Sequence, residues 1–280
     1  MRYINDSQTT YNECGTIVTI GNFDGFHNGH KKLISSINTS KNEIGAKSLL
    51  LSFYPRPLSI LKSIDIKSIF VKEERVEIAK SLDIDILVEY PFSKEFAAQS
   101  GYEFVNMLKN KYNCRQIVVG EDFAFGKNRM WNACSLAEIA KDAGIAVTVN
   151  SHKQIDGRKI SSTDIRNYLE SGNVEEANRL LGHDYFIQAI AKQGRADNRN
   201  LGASFINIFP QNEKLLPTCG LYSTQITLEN GKTYSGITKI EENGLLANSV
   251  VLIETYIQNL SEKIYNTEIK IEFKKLINEI

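Results

Sequence analysis

The sequence has no net charge, no paired cysteines and no long apolar run, and each absence excludes a class of protein. Lysine plus arginine number 33, as do aspartate plus glutamate. This balance argues against gripping nucleic acid by bulk charge, although a local basic site for a phosphorylated small molecule stays open. The four cysteines are scattered without a CxxC pair, so neither a zinc cluster nor a disulfide framework is indicated. No stretch has the length of a signal peptide or a membrane span. We therefore expect a cytoplasmic protein with reduced thiols and neither a membrane nor a nucleic-acid partner.

The 280 residues allow one large domain or two ordinary ones. With 42% hydrophobic and 24% charged residues the composition is that of an ordinary globular protein, and the pattern changes near residue 184. Residues 1–183 alternate short apolar runs with segments of helical period, which predicts an α/β domain with a parallel sheet. Its strands are expected at 16–20, 48–53, 84–88, 116–119 and 145–149. Residues 184–280 form the second predicted domain, where Asn230-Gly231 between two strand-like runs indicates a β-hairpin. Strict apolar alternation over 268–274 extends this pattern, and it predicts a small all-β barrel or sandwich.

The strongest chemical signal is GNFDGFHNGH, residues 21–30, which follows the first predicted strand. In parallel sheets, ligands bind beyond the carboxyl ends of the strands. Glycines permit a tight turn and close approach of the backbone, and a helix starting near Gly29 points free amide groups at a ligand. His27 and His30 could then reach phosphate oxygens, which suits attack on a nucleotide phosphate. The alternative is a glycine-rich turn with surface histidines. It is less favoured because two of the chain's four histidines lie in this one HxGH unit.

A second signal is ISSTDIR, residues 160–166. Hydroxyls at a helix start can cap the helix and bind phosphate, and the planar fork of Arg166 suits phosphate oxygens. In isolation the segment is better explained as an ordinary capped helix. Beside the HxGH unit it becomes a candidate for the other side of a triphosphate site.

Two further segments follow predicted strands. GEDFAFG, residues 120–126, places Phe123 and Phe125 where aromatic rings can pack on a flat ligand. Without context, core aromatics at a strand end would be the better explanation. FYPRP, residues 53–57, is stiffened by its prolines, and Arg56 could contact an anionic ligand. A solvated surface charge is nearly as well supported for Arg56.

These four motifs, in this order, resemble those of the bacterial bifunctional riboflavin kinase/FAD synthetases over about residues 15–185. The resemblance implies a Rossmann-like nucleotidylyltransferase domain that uses ATP, Mg²⁺ and FMN and releases FAD and pyrophosphate. The FMN phosphate is then expected to attack the α-phosphorus of ATP directly, without a covalent enzyme intermediate. Composition and spacing alone predict only that an α/β domain catalyses nucleotidyl transfer, and the flavin follows from the resemblance.

The resemblance also implies a role for each motif residue. The expected catalytic residues are His27, His30 and Arg166. The expected ATP-binding residues are Gly21, Asn22, Phe23, Asp24, Gly25, Gly29, Ser161, Ser162 and Thr163. The expected flavin-binding residues are Tyr54, Arg56, Asp122, Phe123 and Phe125.

In this family the second domain is a β-barrel that phosphorylates riboflavin, and here its motif departs from the pattern. Segments that resemble its domain junction and nucleotide loop are Leu180-Leu181-Gly182-His183, Gly194-Arg195 and Leu201-Gly202. The family's Pro-Thr-Ala-Asn motif is replaced by Ser204-Phe205-Ile206-Asn207, and a second Pro-Thr is missing around residues 240–248. An apolar ring in place of threonine offers no oxygen to a hard cation. Glu254 falls where the family's catalytic glutamate is expected. We therefore predict a lost riboflavin kinase in which Asn207 and Glu254 are vestigial.

Three alternatives stay open. Both activities could persist through an atypical kinase site. The chain could be a transferase with another phosphate acceptor, although the GEDFAFG segment favours a flavin. It could also be a non-catalytic flavin-binding regulatory protein, although the complete HxGH and ISSTDIR motifs favour catalysis.

Overall fold

A computed structural model describes residues 1–11, 13–193, 203–243, 250–260 and 264–279. The segments 194–195, 201–202 and 244–248, which enter the comparison with the kinase family above, lie outside these ranges. The chain divides into two compact units. The first unit comprises Met1–Ile66 and Arg75–Ile160, and the second comprises Lys67–Glu74 and Ser161–Ile280. None of the helices in the described ranges is long and apolar enough to span a membrane.

The first unit is built on a six-stranded parallel sheet. Its strands are β1 Arg2–Ile4, β2 Thr16–Ile20, β3 Lys47–Tyr54, β4 Ile86–Pro91, β5 Cys114–Gly120 and β8 Ala146–Asn150. They lie in the order β1-β4-β3-β2-β5-β8, and every neighbouring pair is parallel. Two short hairpins join β6 Ala124–Phe125 to β7 Trp131–Asn132, and β9 Gln154–Ile155 to β10 Arg158–Lys159. The five predicted strands are confirmed with small shifts of their ends. The three-residue edge strand β1 was not predicted.

Helices connect the strands of this sheet. They are α1 Asn28–Ile44, α2 Pro57–Lys62, α3 Lys72–Ser81, α4 Lys94–Ala97, α5 Gly101–Tyr112 and α6 Ala133–Asp142, with a 3₁₀ turn at Lys127–Arg129. All of β2 and the central residues of β3 are buried, as expected for parallel strands that are covered on both faces. From β2 the chain runs outward to β3 on one side, while β5 lies on the other. A crevice opens at such a reversal of strand order, and ligands bind there.

Within the described ranges, the second unit contains two complete helices and a seven-stranded antiparallel sheet. The helices are α7 Ser162–Glu170 and α8 Val174–Leu181. The strands are β11 Tyr185–Ile190, β12 Lys192–Gln193, β13 Ala203–Ile208, β14 Gly220–Leu228, β15 Thr233–Asn243, β16 Val250–Gln258 and β17 Glu268–Glu279. Their order is β11-β17-β14-β15-β16-β13-β12. Its two edges, β11 and β12, are separated along the chain by Ala191 alone, so the sheet must curl back on itself. The predicted barrel and its Asn230-Gly231 hairpin are confirmed.

Alternate residues of this curled sheet fill its interior. Along β14 every second side chain is buried, including Tyr222, Thr224 and Ile226. The buried hydroxyl of Thr224 lies 3.0 Å from that of Thr238, which in turn lies 2.9 Å from that of Thr255. The three hydroxyls therefore satisfy one another across three neighbouring strands, as buried polar groups require.

A buried ion pair holds residues 67–74 in the second unit. The Lys214 and Glu74 side chains are each only 1% exposed, and the two charged groups are 2.6 Å apart. The Lys214 ammonium also donates to two backbone carbonyl oxygens at 2.8 Å. The Glu74 carboxylate accepts from the amides of Val71 at 2.9 Å and Gln188 at 3.0 Å. Each charge is thus fully hydrogen-bonded, which a pair removed from water requires.

Candidate active site

The HxGH segment forms a loop, residues 21–30, at the carboxyl end of β2, where the strand order reverses. We call it the histidine loop. Phe23 and Phe26 are fully buried within it and have left-handed backbone angles, with φ of 43° and 46°. Bulky residues adopt such angles only where the surrounding packing imposes them, and this occurs preferentially at functional sites.

The glycines of this loop allow side-chain rings to approach the backbone closely, and they do not adopt unusual backbone angles. Positive φ values occur at the two phenylalanines, and Gly21, Gly25 and Gly29 are not among the residues with positive φ. A Cβ atom on Gly29 would lie 3.1 Å from the His27 ring, and one on Gly21 would lie 3.1 Å from the Phe23 ring. The missing side chains therefore let these rings lie directly against the backbone.

His27 and His30 meet at the start of α1. His27 is the N-cap residue, and its Nδ1 accepts a hydrogen bond from the backbone amide of His30 at 3.3 Å. The two imidazole rings stack with centroids 3.6 Å apart and planes 14° apart. An Nδ1 that accepts a hydrogen bond in a neutral imidazole leaves the proton on Nε2. His27 therefore presents an Nε2–H donor beside the positive end of the α1 dipole, an arrangement suited to anionic oxygens.

Both histidines are neutral at physiological pH. Burial lowers the pKa of His27 to about 4, and the positive charge of Lys159 acts in the same direction. The pKa of His30 is held well below its ordinary value by burial first, and then by the charges of His27 and Arg75. The Nδ1 of His30 is buried and has no hydrogen-bond partner within the described ranges. Each neutral ring thus keeps one N–H, which can donate a hydrogen bond to a phosphate oxygen.

The FYPRP segment is joined to the histidine loop. Arg56 forms an ion pair with Asp24, and their side chains are only 14% and 3% exposed. A predicted flavin-binding residue and a predicted ATP-binding residue therefore hold one another. The neighbouring Tyr54 is half exposed and is available to pack against a ligand.

Asp122 lies in a polar cluster beyond the ends of β5 and β8. It forms an ion pair with Lys159, and its Oδ1 lies 3.3 Å from the Nε2 of His152. Burial raises the pKa of Asp122, but the hydrogen bond and charge of Lys159 outweigh it, and the net pKa is lowered. Because Lys159 also acts on His27, the cluster belongs to the surroundings of the histidine loop. Sequence analysis missed Lys159 and His152, since neither lies in a recognised motif.

The predicted flavin-facing aromatics continue into the core of the first unit. The rings of Phe123 and Phe125 stack with centroids 5.3 Å apart, and Phe125 lies 5.1 Å from the buried Phe104. Phe123 and Phe125 are themselves only partly buried. The two side chains therefore pack on the core, as strand-end aromatics do, and remain partly exposed, as rings that contact a flat ligand must.

Apart from Ile160, which ends the first unit, the ISSTDIR residues lie in the second unit, at the start of α7. The Ser161 hydroxyl accepts from the amide of Asp164 at 3.2 Å and so caps the helix. Ser162 and Thr163 follow in its first turn. Arg166 donates to the backbone carbonyls of Ser162 and Lys67, both at 3.3 Å. The capped helix is confirmed, whereas the ATP-binding roles of these residues stay predictions.

The altered kinase motif lies on β13. Phe205 is opposite Tyr256 on β16, and their ring centroids are 5.4 Å apart. Asn207 is opposite Glu254, and Glu254 is opposite Lys239 on β15. The Oδ1 of Asn207 is buried and has no partner within the described part of the chain. A ring-on-ring contact thus occupies the place where the family pattern has a threonine hydroxyl.

A Rossmann-like parallel sheet with a histidine loop at its switch point, followed by a curled antiparallel sheet, defines a nucleotidyltransferase with an added β-domain. A model of the FAD synthetase family matches residues 9–164, and a model of the riboflavin kinase family matches residues 181–279. The chain belongs to the bifunctional riboflavin kinase/FMN adenylyltransferase family, and the first part makes it an FMN adenylyltransferase. The kinase-family match spans the altered motif, so the predicted loss of kinase activity stays a prediction.

Two curated relatives carry the name bifunctional riboflavin kinase/FMN adenylyltransferase. The Listeria monocytogenes protein is 29% identical over 97% of this chain and 87% of its own length. The protein of Buchnera aphidicola subsp. Schizaphis graminum is 31% identical over 94% of this chain and 86% of its own. A crystal structure described as a macrolide-efflux protein from Streptococcus pneumoniae superposes with a TM-score of 0.90. It covers 100% of this chain and 92% of its own at 23% identity, which shows a shared fold.

Proposed function

We propose that the chain transfers AMP from ATP to FMN at the histidine loop, and that its barrel has lost riboflavin kinase activity. The observation that carries the first statement is the buried, neutral, stacked pair His27 and His30 at the start of α1. A preorganised set of hydrogen-bond donors stabilises the charge that builds on phosphoryl oxygens during transfer. The FMN phosphate attacks the α-phosphorus of ATP, and pyrophosphate leaves.

The site residues divide between the nucleotide and the flavin. We assign the ATP to the histidine loop. The ATP-binding roles expected for Ser161, Ser162, Thr163 and Arg166 at the start of α7 stay predictions. The flavin is assigned to the accessible rings of Tyr54, Phe123 and Phe125, because aromatic faces suit a flat ring system. We assign Arg56 and Asp122 to the flavin as well. Arg56 is held by its ion pair with Asp24, and Asp122 by its ion pair with Lys159.

We propose that Mg²⁺ binds mainly through the phosphates of ATP and not at a metal site formed by protein side chains alone. Among the described residues, no three histidine, cysteine, aspartate or glutamate side chains form a group that could hold a metal ion. Mg²⁺ in such enzymes is typically bound by one or two carboxylates together with substrate phosphates. Asp24, within the histidine loop, is only 3% exposed and is paired with Arg56, so the phosphates of ATP are expected to supply ligands for the ion. The ion would neutralise negative charge on the phosphates.

The contacts of Phe205 support the loss of kinase activity. Its ring packs on Tyr256 and supplies no oxygen for a metal ion or phosphate. Asn207 and Glu254 remain opposite one another in register, but a base without its nucleotide site gives little catalysis. The riboflavin kinase match over residues 181–279 favours a second candidate, a bifunctional enzyme with an atypical kinase site.

One assay separates these functions. The purified protein is incubated with ATP and Mg²⁺, and with either FMN or riboflavin, and the flavins are separated by chromatography over time. We expect FAD from FMN and no change in riboflavin. FMN formed from riboflavin would show that the kinase is retained. If neither flavin reacts, adenylyl transfer is refuted, and tight flavin binding would then favour the regulatory protein.

A variant pair sharpens the kinase result. Phe205→Thr restores the family's hydroxyl, and Phe209→Thr makes the same change at a neighbouring exposed position. Riboflavin phosphorylation that appears only with Phe205→Thr would identify this residue as a cause of the loss. Equal phosphorylation by the parent and both variants would support the atypical kinase site.

A further inference from the structure

Arg75, on α3, contacts the backbone of the histidine loop at Asn22. It is 6% exposed, and one nitrogen of its guanidinium forms an ion pair with Glu89 on β4, which is 5% exposed. Another nitrogen donates to the hydroxyl of Ser52 on β3 at 2.7 Å and reaches the backbone carbonyl of Asn22 at 3.5 Å. Ser52 itself donates to the Asn22 carbonyl at 3.0 Å. Two side chains from segments that are separate in sequence thus converge on one carbonyl oxygen.

That carbonyl lies at the base of the strained part of the loop. Asn22 directly precedes Phe23, the first of the two residues with left-handed backbone angles. Such a conformation persists only where its surroundings over-determine it. The planar fork of arginine can bind a carboxylate and a hydroxyl at once, which a lysine ammonium cannot do with the same geometry. The other oxygen of Glu89 accepts a hydrogen bond from the hydroxyl of Tyr3 at 2.5 Å, and this contact does not involve the loop.

Arg75 also acts on His30 electrostatically. The ring of His27 stacks on His30, the ring of Phe23 lies 4.8 Å from it, and the charge of Arg75, which is paired with Glu89, lowers its pKa. A nearby positive charge disfavours a second one. The guanidinium therefore helps to keep His30 neutral.

We propose that Arg75 is a positioning residue for adenylyl transfer, which acts through Ser52 and the Asn22 carbonyl to hold the loop that presents His27 and His30. Arg75 itself touches no substrate in this scheme. The inference rests on the proposed function of the histidine loop. It adds three residues, Ser52, Arg75 and Glu89, that lie outside every recognised motif.

Four variants test this role by steady-state FAD formation. Arg75→Lys keeps the charge but removes the fork, Arg75→Gln removes both, and Ser52→Ala removes the bridging hydroxyl. Tyr3→Phe is the matched control, because it removes a contact of Glu89 without touching the loop. A misplacement of about 1 Å at a reacting group costs on the order of 10²-fold in rate. We expect losses of this order in kcat for both Arg75 variants, a smaller loss for Ser52→Ala and near-normal kcat for Tyr3→Phe.

The titration of His30, followed by NMR, distinguishes positioning from a general loss of structure. The chain has four histidines, and the His30 signals are assigned with a His30→Asn variant. The pKa of His30 should rise in Arg75→Gln and stay low in Arg75→Lys. If Arg75→Gln does not fold because Glu89 is left buried and unpaired, Arg75→Gln/Glu89→Gln removes both charges and takes its place.

Unchanged kcat in folded Arg75→Gln and Ser52→Ala would overturn the proposal. So would a loss of activity equal to the loss of folded protein, with the His30 titration unmoved. If the unmodified protein makes no FAD, the proposed function fails. The histidine signals of the variants would still decide whether Arg75 holds the loop.

Discussion

The burial of His27 predicts that acid destabilises the first unit by a calculable amount. Its side chain is 6% exposed, and its pKa falls from an ordinary 6.5 to about 4. Between these values the unfolded chain binds the proton and the folded chain does not. Stability is therefore lost as pH falls through this range. From pH 7 to pH 4.5 the loss attributable to this residue is about 2 kcal/mol.

The replacement His27→Asn isolates this contribution. Asparagine is a preferred N-cap residue, so it can still accept the hydrogen bond from the His30 amide, but it does not titrate. Urea unfolding is followed by the fluorescence of Trp131, which is the chain's only tryptophan and lies in the first unit. The variant should gain about 2 kcal/mol relative to the parent between pH 7 and pH 4.5.

The comparison of the two proteins matters more than either curve alone. His30 titrates in both, and its effect has the same sign because its pKa is also lowered. The replacement also removes the effect of His27 on the pKa of His30, which adds to the gain of the variant. Parallel stability curves from pH 7 to pH 4.5 would refute the reasoning, because they would mean that the folded protein protonates His27 as readily as the unfolded chain does.

Three further predictions concern activity and packing. His30→Asn should lower kcat for FAD formation by about 10²–10³-fold, the usual cost of removing one preorganised donor, with an unchanged circular dichroism spectrum. Lys214→Met and Glu74→Gln should each destabilise the second unit by about 3–5 kcal/mol, because each leaves a buried charge unpaired. Thermal unfolding of the double variant should show less than the summed loss. Ser100→Ala should cost about 1 kcal/mol in urea unfolding, because it removes the capping box at the start of α5.

The candidate site was predictable where its residues form compact motifs. The HxGH unit predicted two neighbouring histidines at a helix start near Gly29, and the observed helix begins one residue earlier, at Asn28. The motif also suggested that glycines shape the loop backbone, whereas the structure assigns the left-handed angles to Phe23 and Phe26. Spacing cannot reveal this, because those angles are imposed by packing around two buried rings.

The supporting residues could not be predicted in the same way. Arg75 lies in a segment of helical spacing, Glu89 follows a predicted strand and Ser52 interrupts an apolar run. Each taken alone is consistent with an ordinary surface position or a minor irregularity. The same is true of the polar cluster around Asp122, where Lys159 comes from a short hairpin that showed no pattern in sequence.

By itself, the sequence determined the class of each part of the chain. Alternating apolar runs and helical periods specify a covered parallel sheet, and strict two-residue alternation with an Asn-Gly turn specifies the antiparallel one. These patterns involve residues that are close in sequence, so they can be recognised from the sequence alone. Tertiary structure alone decided which charges are buried. Lys214 and Glu74 are 140 residues apart, and Arg75 meets Ser52 across 23 residues. Burial and pairing at such separations depend on how the strands and helices pack, and no local pattern encodes that.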